Sequence, residues 1–318
     1  MKIIDRIKKS ASTLFSIEIL PPMKGKSIQS IYNLIDPLQD FSPSFVDVTY
    51  HREEYVYKKR EGGFLEKVST RKRPGTVGIC AAIMNRYKID TVPHIICGGF
   101  TKEETESALI DLQFLGIDNV LLLRGDAVKN ERSFVAEPGG NAYALDLVKQ
   151  VKNMNTGIYL HEEDMIDSTP TNFCVGVAGY PEKHFEAANM ISDLHYLKMK
   201  VDAGAEYVVA QMFYDNQKYF AFVNKCREMG INVPIIPGLK VLTTKTQVAM
   251  LPKTFFIDIP QDLKEAVDTC KNDSEAKEVG IEWCIKQSQE LIKFGAPVLH
   301  FYTMGSSDPV KRVISTVF

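Results

Sequence analysis

The chain has 318 residues, 45% of them hydrophobic and 25% charged, with a formal net charge of -2. That composition supplies a large buried core and leaves no global attraction to nucleic acid or to an anionic membrane. The opening stretch from Met1 to Ser12 lacks the apolar centre of a signal peptide, and no stretch approaches the ~20 apolar residues of a membrane span, so a cytoplasmic protein is expected.

Strand-like and helix-like segments alternate from end to end. In the first, Phe15, Ile17 and Ile19 alternate with Ser16, Glu18 and Leu20 at the period of a strand, and Pro21 and Pro22 end it because neither can donate to a ladder. Glu18 is the anomaly. A carboxyl in an apolar strand is paired, protonated or set at a mouth where a ligand meets it, unless the strand is an edge whose glutamate faces water. A helix follows over Ser27–Gln39, then a short apolar run over Ser44–Tyr50 and a third strand, Val92–Ile96, inside Lys88–Cys97. Thr101-Lys-Glu-Glu104 is a capping box for a helix that runs to Gly116. Asn119–Asp126 is a fourth strand, apolar on consecutive positions and so covered on both faces.

Asn141–Val151 is helical and Phe173–Ala178 is the fifth strand. The rhythm then repeats. A helix over Pro181–Ala203 precedes strand Tyr207–Gln211, a helix over Asn216–Met229 precedes strand Val233–Gly238, and helical segments at Thr243–Met250, from about Pro260, and at Ser274–Phe294 lead to the eighth strand, Val298–Thr303. Asp308-Pro309 offers an N-cap and an N1 proline for a last helix. Eight strands alternating with helices over this length predict a (β/α)8 TIM barrel of the α/β class, one domain over 1–318 with loop insertions. A doubly wound open sheet is the alternative, but no GxGxxG follows any strand. Six cysteines, Cys80, Cys97, Cys174, Cys226, Cys270 and Cys284, form no CxxC pair and read as reduced core residues, not as a disulfide frame or zinc site.

Two stretches break the rhythm. His51–Gly75 carries Lys58-Lys-Arg60 and Arg71-Lys-Arg73 beside Glu53, Glu54, Glu61 and Glu66. The local offset of charge favours a solvated helical excursion over a nucleic-acid patch. Met154–Asn172, with Glu162, Glu163, Asp164 and Asp167, is a lid or a tolerated surface insertion.

Chemistry in such a barrel sits at the C-terminal ends of the strands. There the sequence places Glu18, then Thr49 and Tyr50, then His94, then Arg124-Gly-Asp126, then Tyr180, Gln211, and finally His300 with Tyr302. Each has a dull explanation alone: His94 as a hydrogen-bonded core histidine, Gln211 as a satisfied buried amide. Together they point to an enzyme.

Phe15-Ser-Ile-Glu-Ile-Leu-Pro-Pro22, Val48-Thr-Tyr50, Pro93-His94, Leu123-Arg-Gly-Asp126, Gly179-Tyr-Pro-Glu182, Lys200-Val-Asp-Ala-Gly-Ala205 and His300-Phe-Tyr-Thr303 occur in register over nearly the whole chain. This combination closely resembles methylenetetrahydrofolate reductase. The resemblance implies a barrel that holds FAD at its strand C-termini, takes hydride from NADH or NADPH, and reduces 5,10-methylenetetrahydrofolate in a ping-pong sequence through one stacking site. It implies that Glu18 is the general acid, its strand setting suiting a carboxyl that holds a proton, and that Asp126 stabilises the cationic folate intermediate. It assigns FAD to Thr49, His94, Arg124, Gly125, Asp126, Tyr143, Ala144, Tyr180, His184, Asp193 and Lys200, and folate to Gln211 and Tyr219. Without the resemblance, Asp193 and Lys200 read equally well as a surface pair.

Some positions depart from the family pattern. Tyr196 and Met199 stand where relatives have polar or basic FAD contacts, Leu251 where some bacterial members have an aromatic that stacks on the nicotinamide, and Gly305-Ser306 where an Asn-Arg pair is usual. The insertions at 51–75 and 154–172 are longer than in compact bacterial relatives. The sequence ends after the barrel, so control by S-adenosylmethionine is not expected, whereas a homo-oligomer is, since family members form dimers and tetramers. No ribose-reading motif separates NADH from NADPH. Two rival readings remain: a pterin-using barrel methyltransferase without flavin, and a non-catalytic ligand-binding barrel, which gains little from Glu18 and Asp126.

Overall fold

A computed structural model of the chain describes residues 1–52, 54–127, 131, 133–161 and 167–318. Eight parallel strands close into a barrel in the order β1 (Leu14–Ile19), β2 (Phe45–Val48), β5 (Asp90–Ile96), β6 (Asn119–Leu123), β7 (Cys174–Gly179), β8 (Tyr207–Met212), β9 (Ile235–Leu239) and β10 (Val298–Tyr302), which pairs back onto β1. All eight are the strands expected from the sequence, displaced by one to three residues at their ends. The alternation within them now has a direction. Phe45, Val92, Leu121, Cys174, Tyr207, Val209, Ile236 and Val298 pack together inside the barrel, while Ile17, Val46, Ile95, Val120, Val175 and Val208 face the surrounding helices. Gly238 of β9 marks how closely the interior is filled, since a Cβ there would sit 2.2 Å from the Ala210 carbonyl oxygen and 2.6 Å from the Tyr302 ring.

The N-terminal helix α1 (Ile3–Lys9) closes the lower end of the barrel. Ile3 is buried among the interior side chains, its backbone N–H donates to Asn119 Oδ1 (2.9 Å), and Arg6 pairs with Asp90. Asn119 and Asp90 are the first residues of their strands, so the opposite end, where the strands finish, is left as the open mouth. Helices α2 (Gln29–Ile35), α3 (Thr76–Tyr87), α4 (Lys102–Phe114), α5 (Ala144–Met154), α6 (Met190–Asp202), α7 (Asn216–Glu228), α8 (Gln247–Phe255), α9 (Gln261–Thr269), α10 (Asp273–Phe294) and α11 (Asp308–Val317) complete the chain. The capping box at Thr101 and Glu104 forms, and α10 stops at Gly295 with φ 92°. All six cysteines are buried and free.

Three expectations change. The segment after β2 is not helical: β3 (Glu54–Lys59) and β4 (Leu65–Arg71) form an antiparallel hairpin closed over Gly62 and Gly63, both at φ near +80°. Its own period-2 pattern in Glu54-Tyr-Val-Tyr-Lys and the Gly-Gly turn outrank the charge content. The helix expected over Pro181–Ala203 begins only at Met190, capped by Asn189, which leaves 181–189 as a loop over the mouth. The last helix begins at Asp308, with Ser307 at the N-cap position making no side-chain cap bond, and Asp308 pairs instead with Lys277 Nζ at 2.5 Å. Of the candidate lid at Met154–Asn172, the acidic residues Glu162, Glu163 and Asp164 lie outside the described residues, as does Glu53 of the first insertion.

Candidate active site

The open end of the barrel holds a cavity of about 510 Å³. Its walls include Glu18, Thr49, His94, Arg124, Gly125, Asp126, Tyr180, His184 and Gln211, so most of the sequence-derived set converges. A second cleft of about 500 Å³ adjoins it between β6, β7, the start of α5 and one side of α6. Arg124, Tyr180 and His184 face both spaces, whereas Tyr143, Ala144, Asp193 and Lys200 face only the second. The listing of strand ends could not separate these two groups, because Tyr143, Asp193 and Lys200 reach the site from helices.

The second cleft carries two cations, Arg124 and Lys200, and two acids, Glu186 and Asp193. Arg124 Nη1 lies 2.5 Å from Glu186 Oε2, and this pairing holds the Glu186 carboxyl below the ordinary range. Lys200 Nζ donates to the Ala178 carbonyl oxygen at 3.0 Å, and burial depresses its pKa to about 8, with Asp193 opposing the shift. Asp193 Oδ2 in turn accepts from the His184 backbone N–H (2.9 Å), which ties the 181–189 loop to α6. Burial lowers the His184 pKa, and Arg124 lowers it further. Gly125, with φ +85°, turns the chain beneath the mouth and presents backbone instead of a side chain to whatever lies above it.

The floor of the mouth is polar and almost dry. Glu18, its side chain 13% exposed, faces two imidazoles: His300 Nε2 at 3.4 Å and His94 Nε2 at 3.6 Å. Beneath them lies Asp47, wholly buried, with Oδ1 at 3.5 Å from His94 Nε2 and Oδ2 at 3.8 Å from His300 Nδ1. His300 Nδ1 is also 2.8 Å from Ser16 Oγ. Burial disfavours the His300 imidazolium, yet Asp47 and then Glu18 outweigh it and the pKa is raised above the ordinary histidine value. The open question about Glu18 is thereby answered: β1 is paired on both sides, by β10 and β2, and its glutamate points into the barrel mouth. Thr303 Oγ1 donates to the Glu18 carbonyl oxygen (2.7 Å) and fixes the strand end that carries it.

Tyr219 is the one member of the expected set that the fold keeps away. It lies on α7, 1% exposed, stacked on Phe213 at 5.1 Å, and its hydroxyl already donates to the Ile235 carbonyl oxygen (2.7 Å). Ring and hydroxyl are both consumed by the layer between helix and sheet. Leu251, on α8, is likewise 1% exposed, and Phe255 one turn later reaches the cavity instead. Tyr196 and Met199 line the second cleft. Asp47, His51, Arg52, Glu186, Phe255 and Met304 were not singled out from the sequence. Asp47 carried a usable signal, as the only charged residue inside the apolar run Ser44–Val48; the others lie on loops or helices whose path the sequence leaves open.

Residues 2–317 match the family model described as methylenetetrahydrofolate reductase. The chain is 33% identical over 319 residues to methylenetetrahydrofolate reductase 1 of Schizosaccharomyces pombe, covering 99% of this chain and 48% of that protein. It is 32% identical to methylenetetrahydrofolate reductase (NADH) 1 of Arabidopsis thaliana, again covering 48% of the relative, so the chain spans about half the length of these proteins. It is 29% identical to 5,10-methylenetetrahydrofolate reductase of Escherichia coli, over 95% of this chain and 90% of that one. Among solved structures, an uncharacterized protein from Clostridium thermocellum that binds two copies of 5-methyl-5,6,7,8-tetrahydrofolic acid superposes with a TM-score of 0.60 at 15% identity, covering 98% of this chain and 96% of that one, a likeness of fold.

Proposed function

The chain belongs to the methylenetetrahydrofolate reductase family, and from that membership we propose that it reduces 5,10-methylenetetrahydrofolate to 5-methyltetrahydrofolate, with FAD as resident cofactor and NADH or NADPH as hydride source. The observation that carries this reading is the pair of joined clefts, one above a buried acid and one lined by the cations Arg124 and Lys200 with the acids Glu186 and Asp193 beside them. Their residues fit FAD. The second cleft offers Arg124 and Lys200 for a diphosphate and Asp193 for a hydroxyl, while Gly125 gives a flat tricyclic ring room at the first. When bound, FAD would relay hydride between the two substrates.

The chain's own residues do the rest. Thr49, His94 and Tyr180 border the ring's place, Gln211 offers an amide to the pterin, and Asp126 sets a negative charge at the rim beside the cation that forms when the folate's five-membered ring opens. Glu18 delivers a proton to the nitrogen that leaves the methylene carbon. A largely buried carboxyl facing two imidazoles at the floor of the cavity is placed for that transfer.

Anaerobic reduction of the bound flavin by each nicotinamide, followed by reoxidation with methylenetetrahydrofolate, tests the proposal. Glu18→Gln is expected to leave the first half-reaction intact and slow the second by about 10²–10⁴-fold. Equal losses in both would refute the role given to Glu18. A colourless protein that takes up no added FAD would favour the flavin-free methyltransferase reading.

A further inference from the structure

The general acid stands on a buried charge that its own role leaves unexplained. Asp47 is 0% exposed, and neither carboxylate oxygen has a hydrogen-bond donor among the described residues. Isolated buried carboxylates are costly, and this one is kept beneath the mouth between the edges of His94 and His300. Its contacts at 3.5 and 3.8 Å are ionic distances, too long for hydrogen bonds, so charge is what Asp47 contributes there.

We propose that Asp47 is a positioning residue for the proton: its carboxylate is the fixed counter-charge that keeps a proton on His300, and His300 hands that proton to Glu18 once Glu18 has protonated the substrate. This rests on the reductase reading for the identity of the final acceptor, and on the geometry alone for the pairing. The transfers balance. The Glu18 O–H breaks as an N–H forms on the departing folate nitrogen, then the His300 Nε2–H breaks as the Glu18 O–H is restored across 3.4 Å. Water entering the mouth after product release returns one proton to His300 through Glu18, which matches the single proton that the overall reduction consumes.

The surroundings of His300 support a charged ring. Ser16 and Glu18 face it from β1, Asp47 from β2, and the Tyr302 ring edge-on at 5.1 Å from its own strand, while His94 on β5 faces the same two carboxylates. Burial raises the pKa of the Tyr302 hydroxyl, and of Tyr207 and Cys80 near Asp47, so these groups stay neutral and leave Asp47, Glu18 and His94 as the titratable groups about His300. Asp47 raises the pKa of His300, so the proton is held to higher pH than on an ordinary histidine and is lost as the pH climbs through the raised value.

The experiment is an NMR titration of the His300 imidazole in the ligand-free protein, wild type and Asp47→Asn, paired with the pH profile of the folate half-reaction. In the wild type the midpoint is expected above the ordinary histidine value, and in Asp47→Asn it should fall by about 1–3 pH units, the effect of removing an opposite charge a few Å away. The alkaline limb of the folate half-reaction should move to lower pH by the same interval, with flavin reduction by nicotinamide unchanged. A wild-type midpoint at or below the ordinary value overturns the proposal without any variant, and so does a loss of folate turnover that is uniform across pH. If Asp47→Asn does not fold, Asp47→Ser serves in its place. A shifted His300 midpoint in a protein with neither half-reaction would sink the reductase reading and leave the Asp47–His300 pairing standing.

Discussion

Glu186 shows how a single side chain outside every recognisable motif sets the strength of a site. The resemblance assigns Arg124 to FAD, yet the guanidinium lies 2.5 Å from the Glu186 carboxylate, so an incoming diphosphate must share or displace that partner. Both groups are partly exposed, at 21% and 32%, so solvent screens the pair and its net worth is about 1 kcal/mol or less. Glu186→Gln keeps the shape and removes the competition. We expect FAD to bind up to about fivefold more tightly, read by quenching of flavin fluorescence. The gap should close as the pH falls toward the depressed Glu186 pKa, because protonation then frees Arg124 in the wild type as well. Weaker binding in the variant would make Glu186 part of the clamp. Tyr219 teaches the converse lesson: a motif position can be matched in sequence while its side chain is spent on the core.

Two elements differ most from what the sequence predicts, and the second of them borders the mouth. The β3–β4 hairpin carries strand periodicity under a heavy load of lysine, arginine and glutamate, and its stabilising pairs are of the surface kind: Lys67 over the Tyr55 ring at 4.2 Å, and Arg60 with Glu66 at 2.5 Å. Among the described residues it contributes none to the barrel ladder or to the hydrophobic clusters. Replacing Tyr55–Ser69 with a short Gly-Ser linker should therefore change the melting temperature by no more than about 2 °C, since a loss of 1 kcal/mol moves Tm by only a few degrees at this size. A fall well beyond that would show that the hairpin buttresses the rim. The 181–189 loop has the opposite character. It reads as a helix start in sequence but is held open by the Asn189 cap and by Asp193 accepting from His184, and those bonds bring His184 and Glu186 over the second cleft.

At the scale of the whole molecule, the proposed cofactor would join parts of the chain that are far apart in sequence: the ends of β5, β6 and β7 with the start of α5 and one side of α6. A ligand that binds only the folded state stabilises it by mass action, by about 2.7 kcal/mol at a hundredfold excess over Kd. Added FAD should thus raise Tm by several degrees, read by scanning calorimetry, and riboflavin, which lacks the diphosphate and adenosine, should do much less. Equal effects from the two would leave the second cleft without a part in binding.

The sequence by itself determined the eight strands, most of the helices, the barrel they imply and the acid at the end of the first strand. These are local facts, written in side-chain periodicity, caps and short motifs that need no knowledge of distant residues. Only the tertiary structure decided that Asp47 and Glu18 share two histidines, that Lys200 and Asp193 line a cleft, and that Tyr219 does not. Which residues of a strand face inward, and which helix side chains reach the rim, is settled when β10 pairs with β1 and one register is imposed on all eight strands.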